Sequence, residues 1–126
     1  MAVKTLDALP RPRWPELTPD PTELWLDFDP VADELMLYFD RKPVAAYNNP
    51  ICAPEGDDVA VLVGLEENWV GTDQIVGIQI IPLLGRAVKT YPSWRVLAEP
   101  NPPPEAVASF VAEVGVLFAR YGVGEG

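Results

Sequence analysis

The sequence contains no histidine, and this absence removes the commonest general base and zinc ligand of proteins. Neither a Ser-His-Asp nor a Cys-His arrangement for nucleophilic catalysis can be assembled from this chain. A calcium loop starting at Asp27 also fails, because an EF-hand would need glycine at Ala32 and glutamate at Tyr38. We therefore expect a protein that is not an enzyme and that has no catalytic residue, cofactor or bound metal.

Cysteine is almost absent, since Cys52 is the only one. A single thiol forms no intrachain disulfide, and without a base nearby in the sequence it is a poor candidate nucleophile. No apolar run reaches the roughly 18 residues that a membrane span needs. Prolines and arginines precede any apolar run at the N-terminus, which is unlike a signal peptide. The sequence therefore predicts a cytoplasmic protein with no membrane contact.

Basic residues are scarce, with 9 against 19 acids and a formal net charge of −10. The shortage is greatest between positions 14 and 85, where Arg41 and Lys42 are the only bases. An acidic surface repels a phosphate backbone, so we expect no nucleic acid to bind the main body. A basic protein or a metal ion would be tolerated better.

Strand alternation is clear in the stretch from Leu24 to Phe39, where large apolar residues occupy every second position on either side of Asp29-Pro30. Asp followed by Pro is a favoured turn opening. The alternation predicts a β-hairpin in which Phe28 pairs with Leu35. The opposite face then carries Trp25 beside Tyr38 and Asp27 beside Met36, and is semi-apolar.

A second hairpin is predicted from strands at 59–65 and 75–81, joined by a loop over 66–74. Pairing Leu65 with Val76 sets Gly64 opposite Gly77, which would leave a shallow slot beside Leu62 and Gln79. Mid-strand glycines often mark a bulge or a close backbone approach. Two interpretations stay open: a large side chain such as Trp25 fills the slot, or the slot receives a ligand or partner.

The chain divides into a proline-rich arm at 1–23, one domain at 24–121 and a flexible tail at 122–126. Trp14 lies within the arm and would dock it either to the body or to a second subunit. A C-terminal helix follows Pro104, because its apolar residues recur at three- and four-residue spacing up to Tyr121. The predicted fold is α+β: an antiparallel β-meander of two hairpins packed with one C-terminal α-helix, preceded by the arm.

Two short runs, Phe28–Leu37 and Asp73–Ile80, resemble the opening and closing segments of the bacterial domain-of-unknown-function family 2283. The resemblance covers about residues 24–83, with Met36 in place of an aromatic residue and Gln79 in place of an acid. It implies a compact β-meander without an established activity, and it carries over no catalytic or binding residue. It also implies an antitoxin-like role beside a small toxin-like protein.

These observations predict a non-catalytic protein-interaction module that forms a homodimer and binds a basic protein. The candidate interface residues are Trp14, Trp25, Met36, Tyr38, Gly64, Gly77 and Gln79. The alternative is a small-molecule or metal-binding module. It would use either the Gly64/Gly77 slot or the acidic turns, which contain Asp29, Asp33, Asp57 and Asp58.

Overall fold

A computed structural model of the chain describes residues 12–16, 20–54, 58–66, 68 and 71–122. Its strands are β1 (Trp25–Asp29), β2 (Glu34–Tyr38), β3 (Ala46–Pro50), β4 (Val59–Leu65) and β5 (Gly71–Ile80), all antiparallel to their neighbours in one sheet. A C-terminal helix completes the fold, so the α+β class is confirmed. The predicted tail beyond Gly122, the arm before Pro12 and the candidate ligand Asp57 lie outside the described residues.

The strand order is β1-β2-β5-β4-β3, and the predicted meander of consecutive hairpins is therefore wrong. β5 lies in the centre because its core-facing isoleucines pair on both sides: Ile78 with Leu37 and Val61, and Ile80 with Leu35 and Val59. β3 lies at the far edge of the sheet. Pro50 is tolerated in β3 because one side of an edge strand has no neighbouring strand that would need the missing N–H group. The two Val/Ile-rich strands thus take positions that are flanked on both sides.

The register predicted for the first hairpin is confirmed. Phe28 pairs with Leu35, and on the opposite face Trp25 pairs with Tyr38. The Asp29 carboxylate accepts the backbone N–H of Val31 at 2.9 Å, which is the expected turn contact. The alternation and the turn therefore fixed this hairpin without any long-range information.

Helical segments cover one face of the sheet. They are short turns at Pro21–Glu23, Leu83–Ala87 and Pro92–Ala98, a single α-turn α1 (Val88–Thr90) and the long helix α2 (Pro104–Tyr121). The α2 stripe is buried as predicted at Val107, Phe110, Val111 and Val114. In the described part of the chain no helix is both long and apolar enough to cross a membrane.

Trp94 is the largest side chain of the core and is 1% exposed. Its ring stacks on Tyr91 at 4.1 Å between centroids and meets Phe110 edge-on at 4.9 Å. Its indole N–H donates to the Glu113 carboxylate at 2.9 Å, so the one polar atom of the ring is satisfied. Trp94 thereby joins the turn at Pro92–Ala98 to α2.

The described arm residues 12–16 are docked on their own chain. Arg13 exchanges backbone hydrogen bonds with β5, donating to Asp73 at 2.8 Å and accepting from Ile75 at 3.2 Å. Trp14 stacks on Phe118 and lies so close to α2 that a methyl group on Gly115 would be 3.1 Å from its ring. Trp14 therefore docks this part of the arm to the body, which is the first of the two roles predicted for it.

Replacing Trp14 with alanine should release the arm. The substitution removes the stacking on Phe118 and the edge contact with Phe39, so Arg13 should become accessible to trypsin. Limited proteolysis followed by mass spectrometry measures cleavage after Arg13. Trp25→Ala is the matched control, because Trp25 lies on the opposite face of the sheet. Equal resistance of wild type and Trp14→Ala to trypsin would contradict the role of Trp14 in docking the arm.

Candidate partner-binding face

The sheet has a second face, turned away from the helices. Its side chains alternate with the core-facing residues of each strand: Trp25, Asp27, Asp29, Glu34, Met36, Tyr38, Asn48, Ala60, Leu62, Gly77 and Gln79. The hydrophobic core that packs against α2 includes none of them. We call this surface the second face.

The apolar part of the second face is continuous across the first hairpin. Trp25 meets Tyr38 edge-on at 5.7 Å between ring centroids, and Met36 and Trp25 are half-buried. Tyr38 and Leu62 are only 8% and 2% exposed, although they lie outside the helix-covered core. Trp25 and Met36 are therefore the apolar side chains of this part of the face that stay partly exposed, whereas Tyr38 and Leu62 are buried.

A row of polar side chains crosses the same face. The Asn48 amide donates to Gln79, and the Gln79 amide in turn donates to the Glu34 carboxylate. Asn48 and Gln79 meet across β4, where Asn48 lies opposite Leu62 and Gln79 lies opposite Ala60. The row links β3, β5 and β2, and it holds the Glu34 carboxylate at the edge of the apolar patch.

The surroundings of Tyr38 favour the neutral form of its phenol. Burial raises the pKa of Tyr38 above its ordinary value, and the neighbouring Glu34 carboxylate raises that pKa further. The hydroxyl therefore stays protonated at physiological pH and can donate a hydrogen bond. The second face thus offers carboxylates that accept hydrogen bonds and the Tyr38 hydroxyl, which can donate one, beside its aromatic rings.

The glycine slot does not form. β4 pairs with β5 in a different register, in which Leu62 lies opposite Gly77 and Gly64 lies opposite Ala46 on the other side. Irregularities on either side of Val63 shift the pairing, which strict alternation could not predict. Leu62 fills the space above Gly77, so the interpretation of Gly64 and Gly77 as a ligand or partner groove is wrong.

The acidic turns are already engaged in the fold. Asp29 accepts its own turn N–H groups, and Asp33 accepts the backbone N–H groups of Leu84 and Gly85, both at 2.8 Å. Asp58 is 9% exposed and accepts from the Arg86 guanidinium at 2.7 Å. Within the residues that the structure describes, no group of three His, Cys, Asp or Glu side chains could hold a metal.

The candidates from the sequence are therefore separated by the fold. Trp25, Met36, Tyr38 and Gln79 lie on the second face, whereas Trp14 lies on the helical side of the sheet. Asn48 also lies on this face but is not among the residues predicted from the sequence, because the Asn-Asn-Pro run that it begins is typical of a loop. The alternation of partly buried Tyr47 and Asn49 with exposed Asn48 and Pro50 is the signal of this edge strand.

No family model, no curated protein and no solved structure matches the chain.

Proposed function

We propose that the chain is a non-catalytic protein-interaction module whose contact surface is the second face. The observation that supports this function is an apolar, aromatic sheet face outside the helix-packed core, centred on Trp25, Met36 and Tyr38. Interfaces are enriched in aromatic residues and methionine at their centres, with polar groups around them. The Glu34–Gln79–Asn48 row supplies such a polar border.

The charge of the face supports a basic partner. None of the five strands contains a lysine or an arginine, while Asp27, Asp29 and Glu34 all lie on this side. A partner with lysine or arginine around an apolar centre would be electrostatically complementary. A small basic toxin-like protein, as the family resemblance implies, has that chemistry.

Self-association stays a prediction. In a face-to-face homodimer the carboxylates of one copy would approach those of the other, which disfavours that geometry. A dimer through this face would require an arrangement in which Asp27 and Glu34 of one copy lie far from Asp27 and Glu34 of the other. The charge therefore ranks a basic protein above a second copy.

Photo-crosslinking from Met36 tests the proposed function. A benzophenone amino acid at position 36 should crosslink to one basic protein in cells, whereas the same group at the exposed helix position Ala112 should not. Mass spectrometry identifies the product, and a species of twice 13.8 kDa would establish the homodimer instead. Absence of a specific product from position 36, or identical products from both positions, would contradict the proposal.

The identified partner then permits a quantitative measurement. Met36→Lys should weaken its binding about tenfold or more, because a cation is placed within the apolar centre and repels a basic partner. Ala112→Lys adds the same charge on the helix side and should change the affinity little. Titration calorimetry with the purified proteins measures both values, and equal losses would show that only net charge matters.

A further inference from the structure

Among the residues that the structure describes, no strand pairs with the outer edge of β1. β1 lies first in the strand order, and its backbone hydrogen bonds within the described residues go to β2. Alternate residues of an edge strand direct their N–H and C=O groups outward, where another strand can pair with them. β1 contains no proline, in contrast to the opposite edge strand with Pro50.

A groove runs beside this edge on the core side. It consists of two adjoining cavities of about 290 and 220 Å³ that share Leu26, Pro100 and Pro102 in their walls. Leu24, Leu26 and Phe28 supply one wall. The segment from Leu97 to Pro102 supplies the opposite wall. An edge strand beside such a groove, in whose walls apolar side chains lie among polar groups, is the geometry used for strand addition, in which alternate side chains of the added segment enter pockets.

The charged side chains that line the groove are both carboxylates. Four prolines, Pro21, Pro30, Pro100 and Pro102, line it and have no N–H to donate. Asp27 and Glu99 add carboxylates, and no lysine or arginine lines either cavity. An occupant rich in donors and positive charge therefore fits this site.

We propose that the edge of β1 accepts an extended basic segment of a partner protein as an added strand, with every second side chain apolar and seated in the groove. The intervening side chains would lie beside Asp27 and Asp29, so lysine or arginine is favoured there. The added strand extends the second face. This inference rests on the proposed interaction function and names the partner's chemistry.

A second copy of the chain fits the edge less well. The second copy would have to offer its own β1 edge. Two antiparallel β1 strands whose pairing is centred on Asp27 or on Phe28 would set aspartates opposite each other. Like charges directly opposite destabilise a strand pair. The acids on β1 thus act against self-pairing and in favour of a cationic strand.

Short synthetic peptides test strand addition on the full chain. A dye-labelled peptide of alternating lysine and valine should bind saturably in fluorescence anisotropy, and its glutamate–valine counterpart should not. Two further peptides are N-methylated at every lysine or at every valine, which blocks one or the other hydrogen-bonding edge. One of them should bind about tenfold more weakly or worse, as expected when several backbone hydrogen bonds are lost.

Charge reversal on the protein gives the matched comparison. Asp27→Lys should weaken the lysine–valine peptide about tenfold, whereas Glu66→Lys, at an exposed position after β4, should leave its affinity within about twofold. No binding of the lysine–valine peptide, or equal binding of both methylated peptides, overturns the inference. A dimer in light scattering whose formation prevents the peptide from binding would assign the edge to a second copy and also overturn the inference.

The two proposals fail separately. Specific crosslinking from Met36 without peptide binding would leave the interaction function in place and remove strand addition. Peptide binding without crosslinking would show an edge that pairs with strands while the second face has no role. Absence of both would remove both proposals.

Discussion

Replacing Gly77 with alanine should lower the free energy of unfolding by about 3 kcal/mol, at the upper end of what overpacking costs. The new methyl group would lie 2.3 Å from the Leu37 carbonyl oxygen, which belongs to the neighbouring strand β2. Backbone cannot rotate aside as a flexible side chain can, so β2 and β5 must separate. The shift in thermal midpoint should be roughly 10 °C in calorimetry.

Gly64→Ala is the matched control for that experiment. Its methyl group would lie 3.2 Å from the Val76 side chain and 3.3 Å from the Thr72 hydroxyl, both of which can move by a few tenths of an ångström. We expect a change of less than about 1 kcal/mol in either direction. Equal effects at the two glycines would show that β2 and β5 are not in the close contact described. The pair therefore tests the close approach of β2 to β5 at Gly77.

Replacing Asp33 with alanine should destabilise the fold by about 3 kcal/mol. Two charge-assisted hydrogen bonds are lost, from the backbone N–H groups of Leu84 and Gly85, both at 2.8 Å. Asp33 also has a φ of 57°, a conformation that aspartate tolerates and alanine does not. Chemical denaturation measures the loss, with the slope against denaturant serving as a check on two-state unfolding.

Asp29→Ala distinguishes the effect of losing a hairpin-turn contact from the effect of losing the Asp33 hydrogen bonds to Leu84 and Gly85. Among the described residues, the Asp29 carboxylate accepts only the turn N–H groups of Val31 and Ala32, so we expect a loss of about 1 kcal/mol. Asp33→Asn keeps the tolerance of positive φ and should fall between the alanine variant and wild type. An Asp33→Ala loss no larger than that of Asp29→Ala would contradict the role of Asp33 in holding the Leu83–Ala87 turn.

Local patterns predicted the parts of the fold whose partners are close in sequence. Alternation around Asp29-Pro30 gave the β1–β2 register, and three- and four-residue spacing gave α2 from Pro104. The turn residue Asp33 was found for the same reason. The hydrogen bonds of Asp33 to the Leu83–Ala87 turn could not be predicted, because Leu84 lies 51 residues away and no local pattern indicates that contact.

Long-range pairing decided the remainder. The insertion of β5 between β2 and β4 depends on which strand edges meet, and a sequence pattern does not encode this directly. The predicted β4–β5 register differs from the observed one by two residues, since Ile80 pairs with Val59 and not with Val61. Irregular pairing near Val63 breaks the strict alternation on which the prediction relied. The second face was predicted from Trp25, Met36 and Tyr38, but its polar row needed Asn48 to be recognised as part of a strand.

The central position of β5 has a consequence for synthesis on the ribosome. The first hairpin can form as soon as Phe39 has emerged, yet the partner of Tyr38 on its other edge is Gly77. Roughly 40 more residues must be translated, which takes roughly 2–8 s at about 5–20 residues per second. During that interval β2 has an unpaired edge as well as β1, and Leu35 and Leu37 lack their core partners. The acids on β1 and at Glu34 then protect the nascent chain from pairing with its neighbours on the same message.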